Sequence, residues 1–223
     1  MTNDRIFPHL HLLVSGGNTQ LLLCNSITDW KIVGATLDDA AGECFDKVSR
    51  MVGLPYPSGL YLAKIAKLED RNYLNLPLTM QGRETLDFSF SGLKTATRLI
   101  VQKRQDTIGD ILYMENLPEF EIQELITDKP QNALTTRQIF VCEVCVSAQS
   151  VIVFQLIQRL TLGIKNFNPV SIGVSGGVSA NLLLRKKAQN LAIKNKIPLF
   201  KPSLELTGDN AIMIGLSGLA GLA

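Results

Sequence analysis

Two glycine pairs follow the same dipeptide in this chain. Val14-Ser15-Gly16-Gly17 closes the apolar run from Leu10, and Val174-Ser175-Gly176-Gly177 closes the run from Val170. Glycine pairs at strand ends let the backbone turn where a side chain would clash, and they leave amide N–H groups free to face an anion. Two such turns, about 160 residues apart, predict a phosphate-bearing ligand gripped from two sides of a cleft. The first turn, Gly-Gly-Asn between two strands, taken alone reads first as an ordinary hairpin. The second joins a strand to a helix, which aims amides and a helix N-terminus at one point. The same turn also serves tight strand–helix packing. Neither matches the Gly-Lys-Ser/Thr phosphate loop or the six-residue dinucleotide fingerprint.

The carboxylates divide between bland and chemical roles. Asp39, Glu43 and Asp46 follow an i, i+4, i+7 spacing that puts them on one helical face near Asp38. Acids at a helix start are stabilised by its dipole, and one facing a cleft can accept hydrogen bonds from ribose hydroxyls. Asp209, between Gly208 and Asn210, reads as a helix cap, although a carboxylate so placed can also ligate a metal. His9 and His11 alternate on a strand and share a face, with no ligand role expected on a buried strand. Cys142 and Cys145 form a C-x-x-C inside a long apolar segment, where core filling fits better than a zinc site short of two ligands. Lys94 and Arg98, Lys103 and Arg104, and Arg185-Lys186-Lys187 read as solvated helix faces that also supply charge for an RNA backbone. The serines show no nucleophile–base pair for a protease. Asn18-Thr19-Gln20 offers no catalytic base for a small-molecule kinase.

The elements that must position these residues follow from periodicity. Residues 9–14 and 19–24 read as a hairpin and Trp30 to Leu37 as a third strand. Asp38 then caps a helix over Asp39–Val52, ended by Gly53. Further helices are expected at 60–68, at Leu93–Gln102 capped by Ser91, and at Gln138–Asn166. Residues 105–136 are polar and weakly periodic, an inserted and partly helical excursion. Val170–Val174 is a buried strand, Val178–Lys194 a helix opening at the second glycine turn, and Pro198–Lys201 a short edge strand. Gly208-Asp209-Asn210 caps a last helix. This alternation predicts an α/β fold with helices covering the sheet.

Composition bounds the rest. The 223 residues are 46% hydrophobic, enough for one substantial core or two small ones. The net charge of +2, from 22 basic and 20 acidic residues, neither requires nor excludes a nucleic-acid partner. All four cysteines, Cys24, Cys44, Cys142 and Cys145, sit in apolar segments, which fits free thiols in a reducing compartment. The N-terminus is unlike a signal peptide, and the apolar stretch Ile139–Ile157 is interrupted by Glu143, Gln149 and Gln155. A soluble cytoplasmic protein with no membrane partner is expected.

Read in order, six segments resemble the tRNA N6-adenosine threonylcarbamoyltransferase family. They are Leu13–Gln20 (LVSGGNTQ), Leu37–Lys47 (LDDAAGECFDK), Gly53–Gly59 (GLPYPSG), Phe88–Thr95 (FSFSGLKT), Gly176–Asn181 (GGVSAN) and Asp209–Ile214 (DNAIMI). The resemblance implies the actin-like ATPase and sugar-kinase (ASKHA) architecture, with two lobes closing on a nucleotide. On that basis residues 1–37 are the remainder of the first lobe and the nucleotide hairpin. Residues 38–136 are a helical segment with an insertion at 105–136, and residues 137–223 the second lobe. It further implies transfer of a threonylcarbamoyl group from threonylcarbamoyl-AMP to N6 of the adenosine beside the anticodon of tRNA. Carried over by position, Leu13, Val14, Ser15, Gly16, Gly17, Asp46, Gly59 and Asn181 contact the adenylate or ATP, and Asp209 supplies a metal ligand. No catalytic residue is assigned. The expected partners are tRNA and other proteins of threonylcarbamoyladenosine synthesis, including a related paralogue. The expected cofactor is one divalent ion, iron or zinc. The family's His-x-x-x-His metal pair has no counterpart here, so the metal site is expected to be incomplete and the chain to be a large fragment, a split-gene product or the product of a mis-assigned start. The alternative is a non-catalytic family member acting as a nucleotide-binding scaffold.

Overall fold

In His9–Val14 (β1) and Thr19–Cys24 (β2) alternate residues point into the core, the period-2 pattern of strands with one covered face. A computed structural model of the chain describes residues 6–108, 117–127 and 133–219. β1 and β2 pair antiparallel, from His9 opposite Cys24 to Val14 opposite Thr19. Trp30–Ala35 (β3) adds a third antiparallel strand, with a register shift at Leu21 and Leu22. It stops two residues short of the expected Leu37: Thr36 N still donates to Thr19 O of β2, but Leu37 N donates to Phe88 O and Ala35 O accepts from Phe88 N, which draws the chain off toward Phe88.

The chain then leaves the sheet for five helices: Ala41–Met51 (α1), Gly59–Ala66 (α2), Ser91–Ile108 (α3), Glu119–Ile126 (α4) and Thr136–Phe167 (α5). It returns as Ser171–Ser175 (β4), parallel to β1, followed by Leu182–Asn195 (α6), Leu199–Phe200 (β5) and Ala211–Leu219 (α7). A parallel neighbour needs a long crossover, and the five helices provide it. The result is one mixed sheet in the order β3-β2-β1-β4-β5. Both glycine turns, expected on two lobes, therefore leave the same end of one sheet from adjacent strands. Within the stretch 105–136, α3 runs on to Ile108 and α4 occupies Glu119–Ile126; residues 109–116 and 128–132 lie outside the described residues.

The core lies between α5 and one sheet face. Leu10, Leu12 and Val14 of β1, Leu21 and Leu23 of β2, and Ile172 and Val174 of β4 are all buried there. The register puts His9, His11, Leu13, Leu22 and Ser175 on the opposite face, where Trp30, Ile32 and Phe200 are about half exposed. Among the described residues the helices thus cover one face of the sheet rather than both.

The 32-residue α5 is about 48 Å long. Its start is a capping box, in which Thr135 Oγ1 accepts from Gln138 N and Gln138 Oε1 accepts from Thr135 N. By length and composition α5 could cross a membrane, yet most of its most apolar window is buried inside the fold. The polar residues that interrupt that window are anchors. Gln149 donates to the carbonyls of Lys67 and Glu69, and Gln155 donates to the carbonyls of Thr79 and Ser89. Arg159 donates to the carbonyls of Met80 and Arg83. Cys142 and Cys145 are free thiols on this helix, Cys145 fully buried, as core filling requires.

Candidate functional site

The helices around the sheet's turn end are held at their first residues by side chains from other elements. A helix start has unpaired amides that need acceptors. For α1 the acceptor is buried Thr19 of β2, whose Oγ1 takes the amide of Ala41 at 2.8 Å. The expected cap, Asp38, does not serve α1, whose own N-cap residue, Ala40, makes no side-chain cap bond. Asp38 has been drawn to α3 instead. It accepts from Phe90 N at 2.7 Å, Ser91 N at 3.3 Å, Ser91 Oγ at 2.8 Å and Ser89 Oγ at 2.5 Å. Burial by itself would raise the Asp38 pKa, but the hydrogen bonds from Ser89, Phe90 and Ser91 outweigh it and hold the carboxyl below its ordinary value. Ser91, expected as the cap of α3, is therefore a donor to that cap.

Asp46 does the same for α2. Its Oδ1 accepts from Ser58 N at 2.9 Å and Gly59 N at 2.8 Å, while Oδ2 makes no hydrogen bond among the described residues. The four acids are thereby separated: Asp46 faces the α2 start, and Asp39 and Glu43 share Lys47 at 2.7 Å each. Asp39 lies 3.3 Å from Lys94 as well. The hydrogen bonds to Asp39 and Glu43 raise the Lys47 pKa.

The first glycine turn is closed by Ser15 N on Asn18 O at 2.8 Å and by Asn18 N on Ser15 Oγ at 3.0 Å. Neither Gly16 nor Gly17 has a positive φ, and a Cβ on either would meet nothing within 4 Å. The close approach falls one element later, at Gly42 of α1. A Cβ there would lie 2.5 Å from Ser15 O and 2.8 Å from Gly16 N, and Gly42 N donates to Ser15 O. Only glycine lets α1 seat against the turn, a requirement that the sequence reading missed although Gly42 lies within the quoted segment Leu37–Lys47. In the second turn Gly176 has φ of +88° and a virtual Cβ 2.3 Å from Val14 O, so it too must be glycine. No helix opens directly at that turn. A short 3-10 turn over Gly177–Ala180 intervenes, and α6 begins after Asn181, whose Oδ1 accepts from Leu184 N at 3.0 Å. Asn181 Nδ2 donates to Gln149 Oε1 at 2.7 Å, tying the α6 start to the long helix.

These constraints border a cavity of about 280 Å³, just under the ligand-pocket range of roughly 300–1,000 Å³. Gly16 of the first turn and Gly177 and Val178 of the second line it, with Phe45, Asp46 and Leu60 between them. Of the residues expected at a nucleotide, Gly16, Asp46, Gly59 and Asn181 border this cavity. Leu13, Val14, Ser15 and Gly17 do not. Leu13 belongs to the opposite sheet face, Val14 is buried in the core, Ser15 is spent on closing the turn, and Gly17 is exposed beyond the lining.

Asp209 is exposed just before α7, and Asn210 rather than Asp209 caps that helix by accepting from Met213 N at 3.1 Å. Among the described residues no group of three or more His, Cys, Asp or Glu side chains could hold a metal ion. Asp209 therefore stands outside any such group among the described residues. The basic clusters are partly committed as well. Lys187 pairs with Asp70, Arg185 donates to the carbonyls of Ser179 and Pro202, and Arg104 lies over the ring of Phe140.

Comparison with known proteins bears on this geometry. The family model for tRNA N6-adenosine threonylcarbamoyltransferase matches residues 1–216. The chain is 37% identical to the protein of that name from Thermosipho africanus, over 95% of this chain and 55% of the relative. It is 38% identical to the one from Rhizobium etli, over 100% of this chain and 55% of the relative. It is 40% identical to the one from Dichelobacter nodosus, over 93% of this chain and 52% of the relative. The chain thus spans about half the length of the curated relatives it matches. Each relative is named as a transferase, which does not favour the scaffold alternative.

Proposed function

The chain belongs to the tRNA N6-adenosine threonylcarbamoyltransferase family, and from that premise we propose that it forms the nucleotide-binding portion of such an enzyme. Its role would be to hold threonylcarbamoyl-AMP while the acyl group passes to N6 of the adenosine beside the anticodon of tRNA. The observation that carries this reading is the cavity lined at once by Gly16, Asp46, Gly59, Gly177 and Asn181. The turn amides suit the phosphate of the adenylate. Asp46 Oδ2, with no partner among the described residues, suits a ribose hydroxyl, while Phe45, Leu60, Ala63 and Val178 give apolar walls for the base. The mixed sheet in the order β3-β2-β1-β4-β5 is compatible with one lobe of the actin-like ATPase architecture. A divalent metal, were Asp209 and further ligands to hold it, would supply Lewis-acid chemistry at the carbamoyl carbonyl. Asp209 alone does not make that site, so no step of this reading passes through the metal.

Calorimetric titration of the chain with AMP and with ATP tests the proposal. Saturable binding that weakens in Asp46→Asn supports it. Absence of binding to either nucleotide, in a chain shown to be folded by circular dichroism, refutes it.

A further inference from the structure

Across the open sheet face, β1 and β4 carry a continuous line of hydrogen bonds that the nucleotide site does not use. Ser171 Oγ lies 2.5 Å from the carbonyl of Ile6 and 2.7 Å from His9 Nδ1. His9 Nε2 lies 3.1 Å from His11 Nδ1, and His11 Nε2 lies 2.7 Å from Ser175 Oγ. A carbonyl only accepts, so Ser171 donates to Ile6 and must accept from His9 Nδ1–H. His9 Nε2 then accepts from His11 Nδ1–H, and His11 Nε2 accepts from the hydroxyl of Ser175. With both imidazoles held neutral by burial, the carbonyl at one end fixes the direction of every bond, and it leaves the serine at the other end donating to an imidazole.

That imidazole is held in place by a second one. Nucleophile, base and orienting group in succession, each within hydrogen-bond reach, is the arrangement that activates a serine, and it corrects the expectation from sequence that no serine has a base, since His11 and Ser175 meet only across the β1–β4 pairing. The local sequence agrees. Gly173-Val174-Ser175-Gly176-Gly177 has the G-x-S-x-G spacing that sets a serine on a sharp turn at a strand end. Gly173 is needed for the histidines themselves, since a Cβ there would lie 2.4 Å from His11 Nδ1 and 2.6 Å from His9 Nε2. Ser175 and His11 are both partly exposed. Leu13 stands beside Ser175 in the register and Leu22 beside His11, which provides an apolar platform at the serine.

We infer that Ser175, His11 and His9 form a reactive serine site on the open sheet face, able to accept an acyl or phosphonyl group from small, apolar activated esters. In that step Ser175 Oγ bonds to the carbonyl carbon of an aryl ester and the carbon–oxygen bond to the aryl group breaks. The serine proton passes to His11 Nε2 and on to the departing aryloxide, and water then cleaves the acyl-serine to the carboxylic acid. Burial and the neighbouring His9 bring the His11 pKa down to about 4, so its Nε2 is free to accept at neutral pH. A base that weak takes the serine proton less effectively than one titrating near neutrality, so the site is expected to label covalently and slowly rather than to turn over rapidly.

The test is to treat the full chain at neutral pH with an alkyl fluorophosphonate, which exchanges its P–F bond for a P–Oγ bond with release of fluoride and a proton. Peptide mass spectrometry should find the adduct on Ser175, formed about tenfold or more faster than on the exposed Ser203, and both His11→Gln and His11→Phe should remove that advantage. No adduct on Ser175, or an advantage that survives in both variants, overturns the inference. Long-range ¹H–¹⁵N spectra of the unmodified chain keep it testable if the variants do not fold. Both rings should carry their proton on Nδ1, and a proton on His11 Nε2 would overturn the inference. His9→Phe should move the His11 proton toward Nε2; an unmoved proton removes His9 from the site. Neither measurement involves a nucleotide, so its failure is separate from failure of the proposed function.

Discussion

The carboxylate of Asp46 accepts the backbone amide of Gly59 at 2.8 Å, so the helix that walls one side of the cavity starts on a side chain from the helix that walls another. One oxygen fixes the scaffold and the other is left for a ligand. The two roles can be separated by substitution.

Asp46→Asn keeps an acceptor for Ser58 N and Gly59 N but removes the charge beside the cavity. We expect its urea midpoint to stay near that of the parent chain while AMP affinity falls about tenfold, or about 1.4 kcal/mol. Asp46→Ala should additionally lose about 1–3 kcal/mol of stability, because two amides at the α2 start lose their acceptor. Equal midpoints for the Ala and Asn variants would rule out the scaffold role.

Gly42→Ala places a methyl group 2.5 Å from Ser15 O. Backbone on both sides must shift, at a cost of about 1–3 kcal/mol. Thermal unfolding should show the loss, and AMP titration should weaken with it, since the first turn borders the cavity through Gly16.

Asp38 holds the α3 start with its pKa lowered, so the folded state retains the ionised form to lower pH than the unfolded chain. Its contribution is complete above the unfolded value of 3.8 and is lost as pH falls through the lower folded value. Asp38→Ala should cost about 1–2 kcal/mol at neutral pH and reduce the steepness of acid unfolding below pH 3.8. Denaturant titrations at several acid pH values measure both.

His11 acts with the opposite charge sense. Its pKa, lowered from 6.5 to about 4 by burial and by His9, means that the folded chain binds fewer protons than the unfolded chain between those values. Stability should therefore rise with pH across that window and level off above it, by up to about 3 kcal/mol for this residue. His11→Phe should flatten the rise. An unchanged pH profile of the urea midpoint would show that His11 is not held neutral by the fold.

Much of this protein is written in local pattern. Alternation of buried residues in His9–Val14 and Thr19–Cys24, with Gly-Gly-Asn between them, is sufficient for the hairpin, because strand period and turn composition are properties of neighbouring residues. The long helix is legible for the same reason, although it starts at Thr136, two residues before the expected Gln138, on the box formed by Thr135 and Gln138. Family membership is carried by six short segments in order, and four of the expected contacts, Gly16, Asp46, Gly59 and Asn181, border one cavity. What local pattern could not decide was where each polar group would be used. Asp38 sits where a cap for α1 belongs, yet it caps α3, and Thr19, more than twenty positions before Ala41, caps α1 in its place. A hydrogen-bond acceptor serves whichever amide the fold brings within 3 Å, and that proximity follows from the crossover and the sheet register. The same holds for His9 and His11. Their spacing puts them on one face, but only the parallel pairing of β1 with β4 sets Ser171 and Ser175 against them and gives the line of hydrogen bonds a direction.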